Sequence, residues 1–345
     1  MNHFIKHLLT LSLSTILIGT TSLYAAQTKP VLTLGKAIES AYSYSNQMSL
    51  NSKEQEVLKE SLKAKEGSTY YHYYNTYLQK AKNEQQRTFI QDQIAYDITS
   101  RYNALVLLEK EIVNLDTAIA IKNTEMNSQK LKKQLGLVSS LNYANTEVEL
   151  DNLKITKAAK LESLNNDRSY FKRLTGKDLT QYALDDTLNF EIFRIPGPIE
   201  NYISDKINIQ LKYDTEMAQL SADNILQEGD PAMPWSNYLD AKYQSDKTFS
   251  SLEDTQKTLK QSLLNAYASL LSLEEQIGTT KTQLSLAKKN LAMSELQREQ
   301  GTISTTDYHS KALSVQELEY TLRSSINNYT SLKNSIEKPW ATSGN

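Results

Sequence analysis

Cysteine is absent from all 345 residues. Its absence excludes disulfide staples, thiolate zinc sites, thiol catalysis and acylation of a mature N-terminal cysteine, so packing must hold the fold together. Turn formers are scarce too, with 10 Gly and 6 Pro in the whole chain. A sheet protein would need more of them, and the abundance of Leu, Lys, Glu, Gln, Ser, Asn and Ala favours long uninterrupted helices. No single sign of charge dominates: 38 basic and 40 acidic residues leave a formal net charge of −2. They are spread along the chain, so no electrostatic footprint for nucleic acid is present. Of four histidines, His3 and His7 lie near the amino terminus, and His72 and His309 are far apart. No metal site, catalytic triad or cofactor site is expected from them.

Long apolar runs are also missing. The longest, residues 8–18, follows Lys6 and ends at the small residues Ala25 and Ala26 after Tyr24. This is the pattern of a secretory signal over residues 1–26. About 11 apolar residues fall short of the roughly 20 needed to span hydrocarbon, so a permanent helical anchor is disfavoured. An exported protein of the cell envelope without a transmembrane helix is expected. It would lie in the outer membrane or periplasm of a two-membrane cell, and at the cell surface otherwise.

What is present is one pattern written twice. Placing residue i beside residue i+165 pairs Tyr102 with Tyr267, Glu109 with Glu274, Ile112 with Ile277, Leu131 with Leu296, Gly136 with Gly301, Ser139 with Ser304 and Tyr143 with Tyr308. Ile98, Leu105, Ile112, Ile119 and Met126 recur every seven residues, and Leu263, Leu270, Ile277, Leu284 and Leu291 keep the same register. A strict heptad stripe makes neighbouring helices pack at a shallow angle and supercoil left-handedly. After Gly136 and Gly301 the chain returns: Leu150, Leu153, Leu161, Leu164 and Phe171 are answered by Val315, Leu318, Ile326, Tyr329 and Ile336, whereas Leu174 falls opposite Pro339.

The expected fold class is therefore all-α: elongated coiled-coil helical hairpins in two tandem repeats, with minimal or no β-structure. Repeat 1 covers 27–174, a connector 175–198, repeat 2 199–338 and a tail 339–345. A helix over 34–66 precedes the long helix of repeat 1, and one over 199–227 precedes that of repeat 2. The long helix is expected to begin near Thr69 with Ser68 as cap. It carries Tyr70, Tyr74, Tyr77 and Ala81 on one face and runs about 100 Å at about 1.5 Å per residue. The connector holds Gly176, Pro196, Gly197 and Pro198 around one short strand at 188–193.

The turn segments, Gln134-Leu135-Gly136-Leu137-Val138-Ser139-Ser140-Leu141-Asn142-Tyr143 and Glu299-Gln300-Gly301-Thr302-Ile303-Ser304-Thr305-Thr306-Asp307-Tyr308, resemble the two helix-turn-helix tips of TolC-type outer membrane efflux proteins. Leu32-Thr33-Leu34-Gly35-Lys36-Ala37-Ile38 and Leu174-Thr175-Gly176 are similar to that family's repeat boundaries. The resemblance implies a homotrimer whose twelve helical columns enclose a tunnel. It also implies partners: a periplasmic adaptor meeting the tips Gly136, Leu137, Val138, Ser139, Gly301, Thr302, Ile303 and Ser304, and an inner-membrane pump behind it. Asp307 and Ser310 would stand at the tunnel entrance, where the family places acidic residues. This chain departs from the family in having Ser310 at the second acidic place and Ile303 at an arginine place. It also departs at the other end: only residues 66–69 and 228–235 stand where the family inserts β-hairpins, each strand of which needs about 9 to 11 residues. A relative without the barrel is expected, its Tyr/Trp-bearing end meeting wall, membrane surface or another protein.

No enzyme activity is expected. Thr175-Gly176-Lys177 lacks the upstream glycines of a phosphate loop and reads as a helix stop, and the adjacent Asp185 and Asp186 read as surface carboxylates. Asp307 also suits a helix start, where an acidic residue favours the dipole. The competing functional class is a structural coiled-coil scaffold or adhesin of the envelope with no lumen, since heptads assemble both.

Overall fold

A computed structural model describes residues 29–227 and 234–342; the expected signal segment and residues 228–233 lie outside the described residues. Among the described residues seven helices carry the fold: α1 (Leu34–Tyr44), α2 (Asn46–Ala64), α3 (Tyr70–Gln134), α4 (Ser140–Thr175), α5 (Ile199–Gln227), α6 (Trp235–Glu299) and α7 (Thr305–Glu337). A short 3-10 turn, Pro339–Ala341, follows. The β-structure among the described residues is a parallel pair, β1 (Val31–Leu32) and β2 (Ala183–Leu184). The chain is all-α.

Helices α3 and α6 are 65 residues each, about 98 Å at about 1.5 Å per residue. Helices α3 and α6, α4 and α7, and α1 and α5 begin 165 residues apart, at Tyr70 and Trp235, Ser140 and Thr305, and Leu34 and Ile199. One set of local signals thus sets both halves: a serine cap, Ser139 or Ser304, opens each returning helix, and a glycine in left-handed conformation precedes it.

Three expected features differ. The helix expected over 34–66 is broken at Ser45, whose extended backbone (φ −78°, ψ 118°) lets its hydroxyl accept from Met48 N at 3.3 Å and start α2 afresh. In the other half Gln210 occupies that place and α5 runs through. The strand expected at 188–193 is absent; Leu188, Phe190 and Phe193 instead press onto the α6–α7 core as irregular chain. The start of α3 is also shifted. Tyr70 is its first residue, Thr69 stands at the cap position without a side-chain cap bond, and the Ser68 hydroxyl donates to Lys65 O at 2.7 Å.

The expected heptad stripe is the core. Ile98, Leu105 and Ile112 are buried with Phe171 and Leu164 of α4, and Leu270, Ile277 and Leu284 with Val315, Ile326 and Tyr329 of α7. Leu263 joins a third cluster with Ile203, Ile207 and Leu211 of α5. Ile119, Met126 and Leu291, at the tip-ward end of the stripe, are half-buried. The chain covers this seam itself, without help from a second copy.

Helix α3 is flanked on one side by α2 and α4 and on the other by α5 and α7, and α6 packs beyond α5 and α7. The result is an open palisade of four helical columns. Around its middle runs a belt made by the segments before α1 and after α4. The Tyr102 hydroxyl ties that belt to α3, donating to Leu32 O and accepting from Asp185 N, both at 2.6 Å. Tyr329 does the same in the other half, accepting from Phe193 N at 2.7 Å. Arg323 is buried and donates to Asp186 O; burial pushes its guanidinium below the usual range. Trp340 stacks on Phe89 at 4.7 Å and donates to Asp92 at 2.8 Å, pinning the carboxyl-terminal turn onto α3.

Candidate functional site: the two hairpin tips

Both tips are built the same way. At the first, Gly136 takes φ +69°, its N–H donates to Lys133 O at 3.0 Å, and Leu137 N–H donates to Lys132 O at 2.8 Å. At the second, Gly301 takes φ +72°, with its N–H on Arg298 O at 3.0 Å and Thr302 N–H on Gln297 O at 2.9 Å. This paired closure uses the carbonyls that a helix end leaves without partners, and the left-handed residue must be glycine to avoid a Cβ clash. The next helix then starts at once. Ser139 accepts from Asn142 N at 3.2 Å, and Ser304 from Asp307 N at 3.0 Å.

The second tip adds a reciprocal bond. Asp307 Oδ2 accepts from the Ser304 hydroxyl at 2.8 Å and from Ser304 N at 3.4 Å, completing a capping box. Asp307 is exposed and engaged in its own turn; Ser310 is exposed and donates to Thr306 O at 3.0 Å. Val138 and Ile303 are half-buried, whereas Gly136, Leu137, Ser139, Gly301, Thr302 and Ser304 are exposed.

A feature of both tips was not drawn from the sequence. Lys133 sits over the Tyr143 ring at 4.5 Å, and Arg298 over Tyr308 at 4.3 Å. Each pair clasps the last turn of the outgoing helix to the first turn of the returning one, worth about 0.5–1 kcal/mol at an exposed site. The available signal was the offset of 165, which aligns Lys133 with Arg298 as well as the two tyrosines.

The surfaces differ. Leu131, Leu135, Leu137 and Leu141 are all exposed at the first tip, whereas Gln300, Thr302 and Thr306 take three of the equivalent places at the second. The two histidines are not brought together: His72 lies in the first turn of α3, at the end opposite His309 near the second tip. Among the described residues there is no group of three or more His, Asp or Glu side chains able to hold a metal. No helix there is long and apolar enough to cross a membrane.

No family model matches the chain and no curated protein is similar to it in sequence. Its architecture, however, is shared with solved outer membrane channels. CusC, solved in a study of folding and transmembrane channel formation, superposes with a TM-score of 0.67 at 9% identity, over 92% of this chain and 95% of that one. The CmeC outer membrane channel of Campylobacter jejuni gives 0.63 at 13% identity, over 89% and 85%. The outer membrane protein VceC of Vibrio cholerae gives 0.58 at 10%, over 89% and 95%. At these identities the likeness is one of fold: the chain has the TolC-type fold of these outer membrane channels, as the tips led one to expect.

Proposed function

We propose that the chain is one subunit of an exported, non-enzymatic helical conduit of the cell envelope, closed as a homotrimer of twelve columns. The observation that carries this reading is the pair of open edges. Leu141, Val148 and Ile155, seven residues apart on α4, are 69%, 58% and 67% exposed, whereas Leu313 and Tyr320, which take the places of Val148 and Ile155 on α7, are half-buried. At the other edge Tyr243 and Leu271 of α6 are 62% and 38% exposed, but Leu78 and Val106, their equivalents on α3, are 1% and 2% exposed. Helix α3 has neighbours on both flanks; α6 and α4 each lack one. A second copy offering its α4 edge to this α6 would restore what α3 already has. Such head-to-tail contacts close into a ring when the rotation allows.

The tips then lie together at one end of the ring, where exposed leucines of the first tip and the polar second tip form a rim for a periplasmic adaptor backed by an inner-membrane pump. Asp307 and Ser310 sit at the entrance, with Asp307 serving first as a cap. At the other end, five residues join α2 to α3 and seven join α5 to α6, too few for two membrane strands of about 9 residues each. The aromatic end, with Tyr70, Tyr77 and Trp235 exposed, meets a surface or a partner in place of a barrel.

Sedimentation and electron microscopy of the purified mature protein test the reading. A trimer with a hollow axis is expected; a monomer, or an oligomer with a solid core, would replace the conduit with a structural spacer. Stable pore conductance by the protein alone in bilayers would overturn the barrel-less assignment and leave the ring intact.

A further inference from the structure

At the aromatic end a cleft of about 400 Å³ opens between the first turns of α3 and the last turns of α5. One wall is aromatic: Tyr70 stacks on Tyr74 at 5.3 Å and Tyr74 on Tyr77 at 5.6 Å, so Tyr74 lies inside the row, Tyr70 ends it and Tyr71 lines the cleft beside it. The other wall is acidic, with Glu216 and Asp223 two turns apart on α5 and Gln219 between them. Gln219 donates to Asp223 Oδ1 at 2.8 Å, which fixes that carboxylate. None of the described residues lining the cleft is basic.

We propose that this cleft binds an ammonium cation carrying apolar substituents. Ring faces are negative and attract a cation placed over them, most strongly where water is partly excluded. Carboxylates opposite add Coulomb attraction, and together the walls reject anions. The duplication argues that the cleft is not a packing requirement of this helix pair. The counterparts of Glu216 and Asp223 on α2 are Asn51 and Leu58, and those of Tyr71 and Tyr74 on α6 are Ser236 and Leu239, so the offset that repeats the core positions repeats neither the carboxylates nor these tyrosines. Because both walls belong to one chain, binding needs no ring closure and stands apart from the conduit reading. The cation can come from a soluble quaternary amine or from the ammonium headgroup of a lipid, which shares the chemistry.

The test uses the full mature protein and benzyltrimethylammonium, titrated by calorimetry, with phenylmethanesulfonate as the anion of similar size. One saturable site per chain is expected for the cation and none for the anion. Tyr70→Leu, and separately Glu216→Gln combined with Asp223→Asn, are each expected to weaken binding about tenfold, while Tyr70→Phe, which keeps the ring, leaves it nearly unchanged. Helix content by circular dichroism checks that each variant is folded. Flotation with phosphatidylcholine and phosphatidylglycerol vesicles separates the sources: retention on choline lipid that is lost in the same variants assigns the headgroup, and its absence assigns a soluble amine. No saturable binding of the cation, equal binding of the anion, or affinity unmoved by both variants would overturn the proposal.

Discussion

Helices α3 and α6 have the same length and the same heptad register, yet α3 buries Leu78 and Val106 where α6 exposes Tyr243 and Leu271. Sequence differs at these places, but an exposed Leu271 where a buried Val106 has its counterpart is not explained by residue type. It is explained by neighbours. Two equivalent positions in a duplicated fold share backbone geometry, so a difference in burial between them reports a missing partner. Read this way, the two halves act as each other's control, and the surface to be covered is found by subtraction rather than by apolarity alone.

The comparison is broken most severely by charging one edge. Val148→Glu with Ile155→Glu places two carboxylates on the open α4 stripe, in residues compatible with helix. At about 2 kcal/mol for each aliphatic side chain removed from an interface, the expected result is a rise in the apparent dissociation constant of about a thousandfold. Sedimentation would then show monomers with unchanged helix content. Leu313→Glu, at the half-buried equivalent of Val148 on α7, is expected instead to lower the unfolding midpoint of the protomer. A trimer that survives the paired charges would show that this stripe is not an interface.

The next largest contrast lies between two glycines with nearly the same backbone. Gly176 and Gly136 have φ of +68° and +69°. A Cβ on Gly176 would come within 2.2 Å of Tyr44 Cζ, whereas nothing lies within 4 Å of one on Gly136. Gly136→Ala should therefore cost only the left-handed strain, about 1–2 kcal/mol. Gly176→Ala must also push aside the Tyr44 ring, the far end of an exposed side chain, for about 1 kcal/mol more. Urea unfolding of the two variants measures the difference; equal losses would mean that the Tyr44 ring moves aside freely.

At the tips the contrast is smaller. Asp307→Ala removes the carboxylate arm of the capping box, with its bonds to the Ser304 hydroxyl and N–H, and leaves the backbone arm on Ser304 Oγ, at about 1 kcal/mol. Asn142→Ala at the first tip, by contrast, removes a side chain that takes no part in the cap, since its backbone N–H still bonds Ser139. Hydrogen exchange of the amides at 302–308 and 137–143 is expected to quicken only in the Asp307 variant.

Much of this was open to reading beforehand, for a definite reason. Helix starts follow from caps and glycines within a few residues, and Ser139, Gly136, Ser304 and Gly301 carry those signals openly. The heptad likewise declared Ile98, Leu105 and Ile112 as a seam. Which neighbour covers a seam is a tertiary matter that the spacing does not carry, and here the chain's own α4 and α7 do it. The stripe that lacks cover, Leu141, Val148 and Ile155, has the same spacing, and period alone does not rank two stripes. The Ser45 break was illegible because serine within a helical pattern is common and only the approach of Tyr44 to Gly176 makes the kink useful. The β1–β2 pair, two residues long, is set by the belt it closes. Asp307 was legible as a cap, and those bonds are in place.

The gentlest contrast concerns how each half anchors an equivalent carboxylate. Glu109 is met by Arg168 of α4 at 2.8 Å, whereas Glu274 is held by both nitrogens of Arg194 in the connector, at 2.5 and 2.7 Å. The Arg194 hydrogen bonds keep the Glu274 carboxyl below the usual range, against a smaller opposing push from burial. A folded value below the unfolded one means that the pair stabilises the fold above the unfolded value, near 4.3. The contribution fades as pH falls through the folded one. Arg194→Gln should therefore flatten the acid limb: between about pH 5 and pH 3 the variant's urea midpoint falls less than that of the wild type, and at pH 7 it lies slightly lower. Arg194 is exposed, so salt should erase most of the difference. Parallel acid limbs for the two proteins would show that the Arg194–Glu274 pair adds nothing to the apolar packing that holds the connector.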